Sequence, residues 1–134
     1  MNRFLKTAVL SIVATLLGSL LASAETVRCA ECGMMVDTGS KFSARATQGK
    51  TVSQFCDIGD LLTYLKRTRS ADITAEVKDH GIGAWMDAKK AFYVRAEKKF
   101  STPMGWGIAA FSDSKQASAY GQAMDLDAAL KGLK

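Results

Sequence analysis

A short pattern occurs twice in this chain, fifty residues apart, and it constrains the fold more than any other feature. Asp37-x4-Phe42-x2-Arg45-Ala46 returns as Asp87-x4-Phe92-x2-Arg95-Ala96. Phe55-Cys56-Asp57 is then echoed by Phe111-Ser112-Asp113, with the spacing six residues longer. In both copies the Phe-x-Asp element precedes a helical pattern. Two strand–strand–helix units account for this repeat, with halves over about residues 29–70 and 71–134.

The local patterns fit such units. Residues 41–47 and 51–56 read as strands, joined across Gln48-Gly49-Lys50. Ile58, Leu61, Leu62 and Leu65 fall at i, i+3, i+4 and i+7, one apolar face of a helix, with Asp57 placed to cap its start. Ile73, Ala75 and Val77 alternate with polar residues, as in a half-buried strand. Residues 91–96 and 107–111 form the second strand pair. Ala117, Tyr120 and Met124 again have helical spacing. Leu126, Ala129, Leu130 and Leu133 mark a short last helix capped by Asp125. The expected class is α+β, with a mostly antiparallel sheet and helices packed on it.

The first residues do not belong to that domain. Arg3 and Lys6 precede an almost wholly apolar run over residues 7–21, and Ala22-Ser23-Ala24 follows as a small-x-small exit. Charged, apolar and cleavable parts in that order describe a secretory signal peptide over residues 1–24. The run is shorter than the ~20 residues a membrane-spanning helix needs. Cys29 follows Thr26-Val27-Arg28 rather than a lipobox, so no lipid anchor is expected. Cleavage leaves a soluble, exported 110-residue domain over residues 25–134, enough to bury a small core. It also lowers the charge from +5 to +3. Lys and Arg are spread along the chain with no basic stripe interleaved with aromatics, so nucleic acid is not an expected partner.

Three cysteines in an exported chain are too few for a disulfide-stapled scaffold and point instead to chemistry. Cys29-Ala30-Glu31-Cys32-Gly33-Met34 brings two sulfurs within reach of one ion, or of each other. Gly33 permits a tight turn around whatever is bound. Met34 adds a thioether, and thiolate with thioether is a soft donor set that selects copper(I). A second soft donor, Met104, sits in the loop Thr102-Pro103-Met104-Gly105-Trp106-Gly107, where Trp106 is placed to shield the site from water. Met35 and Met86 have no such setting and are assigned to the core.

Two other readings stay open at this point. Cys29, Cys32, Cys56 and His80 together count as a Cys₃His zinc set, although Cys56 at the end of an apolar strand also suits an inert buried thiol, and His80 in Asp79-His80-Gly81 suits a surface turn. Cys29 and Cys32 also suit a thiol–disulfide protein, although Gly33-Met34-Met35-Val36 does not look like the helix start that motif opens. Nothing marks an enzyme of another class. There is one His, no Gly-rich phosphate loop and no marked carboxylate pair, and Asp57, Asp87 and Asp113 read as caps or turn residues.

Several motifs together resemble the nitrous oxide reductase accessory protein family, NosL. They are Cys29-x-x-Cys32-Gly33-Met34, the run from Phe55-Cys56-Asp57-Ile58-Gly59-Asp60 to Leu65, Trp85-Met86-Asp87-Ala88 before a Phe-Tyr-Val strand, and Thr102-Pro103-Met104-Gly105-Trp106-Gly107 leading to Phe111. The resemblance implies a periplasmic copper(I) chaperone, a binding protein rather than an enzyme. It implies receipt of copper from a membrane transporter complex and delivery to nitrous oxide reductase. It also implies a fold of two related ββα-type halves, similar to part of the organomercurial lyase MerB. The family's Cys-x-Met pair falls on Cys32 and Met34, and its second-half Met falls on Met104. Together with Cys29 these form the expected ligand set. Many members are lipoproteins; the missing lipobox here leaves room for a soluble carrier serving another copper enzyme.

Overall fold

The computed structural model describes residues 26–133. The expected signal peptide and its cleavage site therefore lie outside the described residues. Ala44–Gln48 (β1) and Thr51–Phe55 (β2) form a hairpin whose register pairs Gln48 with Thr51, leaving Gly49-Lys50 as a two-residue loop. Ile73–Lys78 (β3) pairs antiparallel with β1 on its other side, and Trp85–Asp87 (β4) pairs with β3. The resulting four-stranded sheet has the order β2-β1-β3-β4. Phe92–Arg95 (β5) and Ile108–Phe111 (β6) make a separate antiparallel pair. Ile58–Thr68 (α1) follows β2, Ser114–Ser118 (α2) follows β6, and Leu126–Lys131 (α3) comes last. Strands paired antiparallel, with helices packed on them, place the chain in the α+β class.

Residue chemistry explains these elements. Asp57 accepts from the Gly59 amide (3.0 Å), so an aspartate caps α1 as expected. Asp113 caps α2, Asp125 caps α3, and Asp87 caps a 3₁₀ turn at Ala88–Lys90. The stripe Ile58, Leu61 and Leu62 is fully buried, and α1 lays it into the main core with Phe55, Val77, Tyr93, Ile108 and Ala110. The β5–β6 pair divides by its period of two. Tyr93, Ile108 and Ala110 face the main core, while Val94, Ala109 and Phe111 face a second, smaller core with Phe100 and Ala117. Ile108–Phe111 is buried on both faces, and so reads as an unbroken apolar run.

The fold departs from expectation in three places. Helical spacing of Ala117, Tyr120 and Met124 predicts one helix, but α2 stops at Ser118. Tyr120 is exposed, and Met124 instead exchanges backbone hydrogen bonds with Tyr93 (2.7 and 2.8 Å), extending the β5 edge. Met35, expected in the core, is 63% exposed, because the chain turns at Gly33 and the short pairing of Arg28 with Met35 leaves its side chain in solvent. His80, expected on a surface turn, packs its ring among Phe42, Phe100, Phe111 and Tyr120, with centroids 5.0–6.0 Å away. The turn is formed as expected, with Asp79 Oδ1 accepting from the Gly81 and Ile82 amides.

Candidate metal centre

The two halves of the Cys29–Cys32 turn are held by backbone bonds. The Cys29 amide donates to the Met34 carbonyl (2.8 Å), and the Gly33 amide donates to the Cys29 carbonyl (2.9 Å). Closing this turn puts Gly33 at φ +76°, a left-handed conformation that a residue with a side chain adopts only under strain. The Ala30 amide then donates to the Gln54 carbonyl (2.9 Å), stitching the turn to the edge of β2. That seam brings Cys29 and Cys32 beside the end of β2, where Cys56 leads into α1.

Four ligand atoms meet there. The sulfurs of Cys29, Cys32 and Cys56 and a carboxylate oxygen of Asp60 all lie within 4.8 Å of one another. The Cys32 and Cys56 sulfurs touch at 3.4 Å. The thiols of Cys29 (3.3 Å) and Cys56 (3.6 Å) both donate to Asp60 Oδ2. Cys29, Cys56 and Asp60 are each only 3% exposed, while Cys32 is half-buried and forms the outer side of the group. Asp60 lies in the first turn of α1, where the helix N-terminus favours a negative charge. Its Oδ1 accepts from the Trp106 indole N–H (3.0 Å), which fixes the carboxylate with Oδ2 facing the thiols.

Trp106 reaches Asp60 only because residue 59 is glycine. A Cβ at Gly59 would lie 2.0 Å from the indole Cγ, so the ring covers the bare helix backbone. The loop bearing Trp106 is fastened a second time. The Met104 amide donates to Asp57 Oδ2 (3.0 Å), so the buried helix cap holds both α1 and the Met104 loop. Met34 (48% exposed) and Met104 (41% exposed) both reach solvent. Arg67 of α1 grips Glu31, which lies between the two cysteines of the turn, through both carboxylate oxygens (2.7 and 2.9 Å).

Electrostatics favour the protonated forms of Cys32 and Cys56 in the absence of a metal. Burial pushes the Cys32 thiol up, and Asp60 adds to this against the Met34 amide, which stabilises the thiolate. Burial raises Cys56 much further, with Cys32, Cys29 and Asp60 adding to the effect. A cation at the group's centre would reverse this balance and draw the protons off. Three thiol sulfurs and a carboxylate, converging and mostly buried, form a group with the composition and size to hold one metal ion.

The outcome for the sequence-derived residues is mixed. Cys29 and Cys32 are brought together. Cys56, which also suits an inert buried thiol, joins them. His80 is not in the group, so the fourth member of a zinc-type set is Asp60 rather than His80. Asp60 was not marked by the sequence, because at 3.6 residues per turn it falls off the apolar stripe of α1 and reads as a solvated residue. The visible signal was its spacing, four residues after Cys56 across a helix start.

The NosL family model matches residues 21–125. Among solved structures the chain is similar to the crystal structure of the copper chaperone NosL from Shewanella denitrificans, with a TM-score of 0.66 and 23% identity over 76% of this chain and 88% of that one. A likeness at that identity speaks for the fold. A search of curated proteins returned no match.

Proposed function

The chain belongs to the NosL family, and from that membership and its sulfur cluster we propose that it is a copper(I) metallochaperone. It works in the periplasm after export. It takes its cargo from a membrane transporter complex and passes it to a copper enzyme, with nitrous oxide reductase the expected acceptor. The observation that supports this most is the convergence of Cys29, Cys32, Cys56 and Asp60 within 4.8 Å, half-open on the Cys32 side. Thiolates select a soft ion, and copper(I) is the soft ion that also accepts thioethers.

In this reading Cys29 and Cys56 are the inner thiolates and Cys32 is the outer one. Asp60 does not suit copper(I) as a ligand and instead orients the inner thiols. Met34 and Met104 offer thioethers at the exposed rim. They bind the arriving or departing ion weakly, so that an acceptor's ligands enter before Cys32 lets go. Transfer is then a series of ligand exchanges with no bare ion in water.

One observation favours a second reading. Three cysteines and a carboxylate also supply four ligands, the number a structural zinc site takes. The two separate in one experiment, an anaerobic copper(I) titration of the reduced protein beside Cys32→Ser, Cys56→Ser and Met34→Ala. The carrier reading expects about one copper(I) per chain, a fold that survives without metal, and weaker binding in all three variants, least in Met34→Ala. Unchanged affinity in the cysteine variants would sink the site. Unfolding on chelation would favour zinc.

A further inference from the structure

Sequence proximity nominates Cys29 and Cys32 as the pair that would oxidise together. Their thiols are differently engaged. Cys29 is buried and donates to Asp60 Oδ2 (3.3 Å), whereas the Cys32 sulfur contacts that of Cys56 at 3.4 Å. A disulfide bond is about 2.0 Å long, so the Cys32 and Cys56 sulfurs need to close by little more than an ångström. Of the three, Cys32 is the one a reagent reaches from solvent. It lies on a surface turn, while Cys56 is held between β2 and α1.

We propose that Cys32 and Cys56 are a thiol–disulfide exchange site for small-molecule disulfides, and that its closure switches off metal binding. The Cys32 thiol gives up its proton to solvent, and the thiolate attacks one sulfur of the incoming disulfide, forming a mixed disulfide and expelling a thiolate that takes up a proton. The Cys56 thiol then loses its proton, attacks the Cys32 sulfur and expels the second thiolate, which is protonated in turn. Two protein thiols lose two electrons and two protons, and one external disulfide becomes two thiols. Closure leaves Cys29 as the last thiol of the group. The pairing stands on the geometry alone; the switch rests on the metal-carrier reading above.

The test treats the reduced, metal-free protein with oxidised glutathione, quenches it in acid, alkylates the remaining thiols and maps the peptides by mass spectrometry. The expected product is Cys32–Cys56, with Cys29 alkylated. Cys29→Ser is expected to form the same Cys32–Cys56 bond. A product dominated by Cys29–Cys32, or three thiols still free under conditions that oxidise a control dithiol, overturns the pairing. Copper(I) affinity is then measured on the closed form against the open one, with a loss of about a hundredfold or more expected. Cys32–Cys56 closure with copper(I) affinity unchanged overturns the switch, and counts against the metal reading rather than the pairing. Addition of copper(I) before glutathione is expected to slow closure at least about tenfold, because the same thiolates are engaged. Equal rates overturn the switch.

Discussion

Asp60 is the residue on which the geometry of the centre depends most directly. Its two oxygens are divided between tasks, Oδ1 on the Trp106 indole and Oδ2 on the Cys29 and Cys56 thiols. Groups that orient metal ligands commonly change affinity by about 10–100-fold when altered. Asp60→Asn keeps an oxygen for Trp106 but turns an amide NH₂ toward the thiols and removes the charge. We expect this variant to fold and to bind copper(I) about 10–100-fold more weakly in competition with a chelator of known affinity. Parent-like affinity with an intact fold would show that Asp60 has no part in holding the thiols. Cys29 and Cys32 were legible as a soft site because the spacing alone brings their sulfurs close. Cys56 was legible only as one member of the Cys₃His alternative, since it also reads as the end of an apolar strand, and Asp60 was not, since it reads as an exposed helix residue.

At the scale of elements, three segments converge and each is fastened separately. The turn is stitched to β2 at Gln54, α1 supplies Asp60, and the Met104 loop is tied to the cap of α1 through Asp57. The Glu31–Arg67 pair is the remaining clamp between the turn and α1. Arg67 is largely exposed, so salt screens the pair and its share in global stability is small. Its position between Cys29 and Cys32 gives it a local role, restraining the opening of the turn that frees Cys32. Glu31→Gln is expected to leave the unfolding midpoint nearly unchanged and to speed copper(I) transfer to a chelator severalfold. The exchange Glu31→Arg with Arg67→Glu should recover the slower rate. Stopped-flow transfer kinetics at low and high salt check this, since high salt should speed the parent toward the variant. The elements themselves were largely legible, because caps at Asp57, Asp113 and Asp125 and the stripe of α1 are local signals. The end of α2 was not, because pairing of Met124 with Tyr93 is a long-range contact that helical spacing does not anticipate.

Across the whole molecule, protonation couples both to stability and to metal uptake, in different pH windows. Burial holds His80 below its ordinary value of 6.5, with Lys41 pushing the same way against Asp79. Lys41, Asp79 and the surrounding rings of Phe42, Phe100, Phe111 and Tyr120 are the groups that face it. The unfolded chain therefore binds this proton more readily than the folded one. Stability from neutral His80 is complete above its unfolded value and falls as pH drops below 6.5. Asp79 is also buried, which alone would raise it, but bonds from Ser112, Ile82 and Gly81 hold it net below 3.8. Its contribution is present above that value and is lost only in stronger acid. Thermal unfolding followed from pH 8 to pH 5 should show a falling midpoint, and His80→Gln should flatten that fall. A parent curve with no slope there would remove His80 as the source. Metal uptake runs over a higher window. Cys32 and Cys56 are both held above the ordinary thiol value, so each must lose a proton on binding. Apparent copper(I) affinity should therefore keep rising from neutral pH into mildly alkaline solution.

The amino-acid sequence determined by itself whatever depends on neighbours a few residues away. That covers the repeated strand–strand–helix pattern, the helix caps, the tight turn at Gly33 and the closeness of Cys29 to Cys32. It also covers the family, through an ordered set of short motifs. Only the tertiary structure decided which thiols share a site. Cys32 and Cys56 are 24 residues apart, Cys29 and Asp60 are 31 apart, and Trp106 reaches Asp60 across 46. No local spacing encodes those distances. They are set by the seam between Ala30 and Gln54, and by the glycine at position 59 that lets an indole lie against the helix. The same long-range packing drew His80 away from the cysteines and into an aromatic cluster, because an imidazole ring kept neutral by burial packs well among other rings.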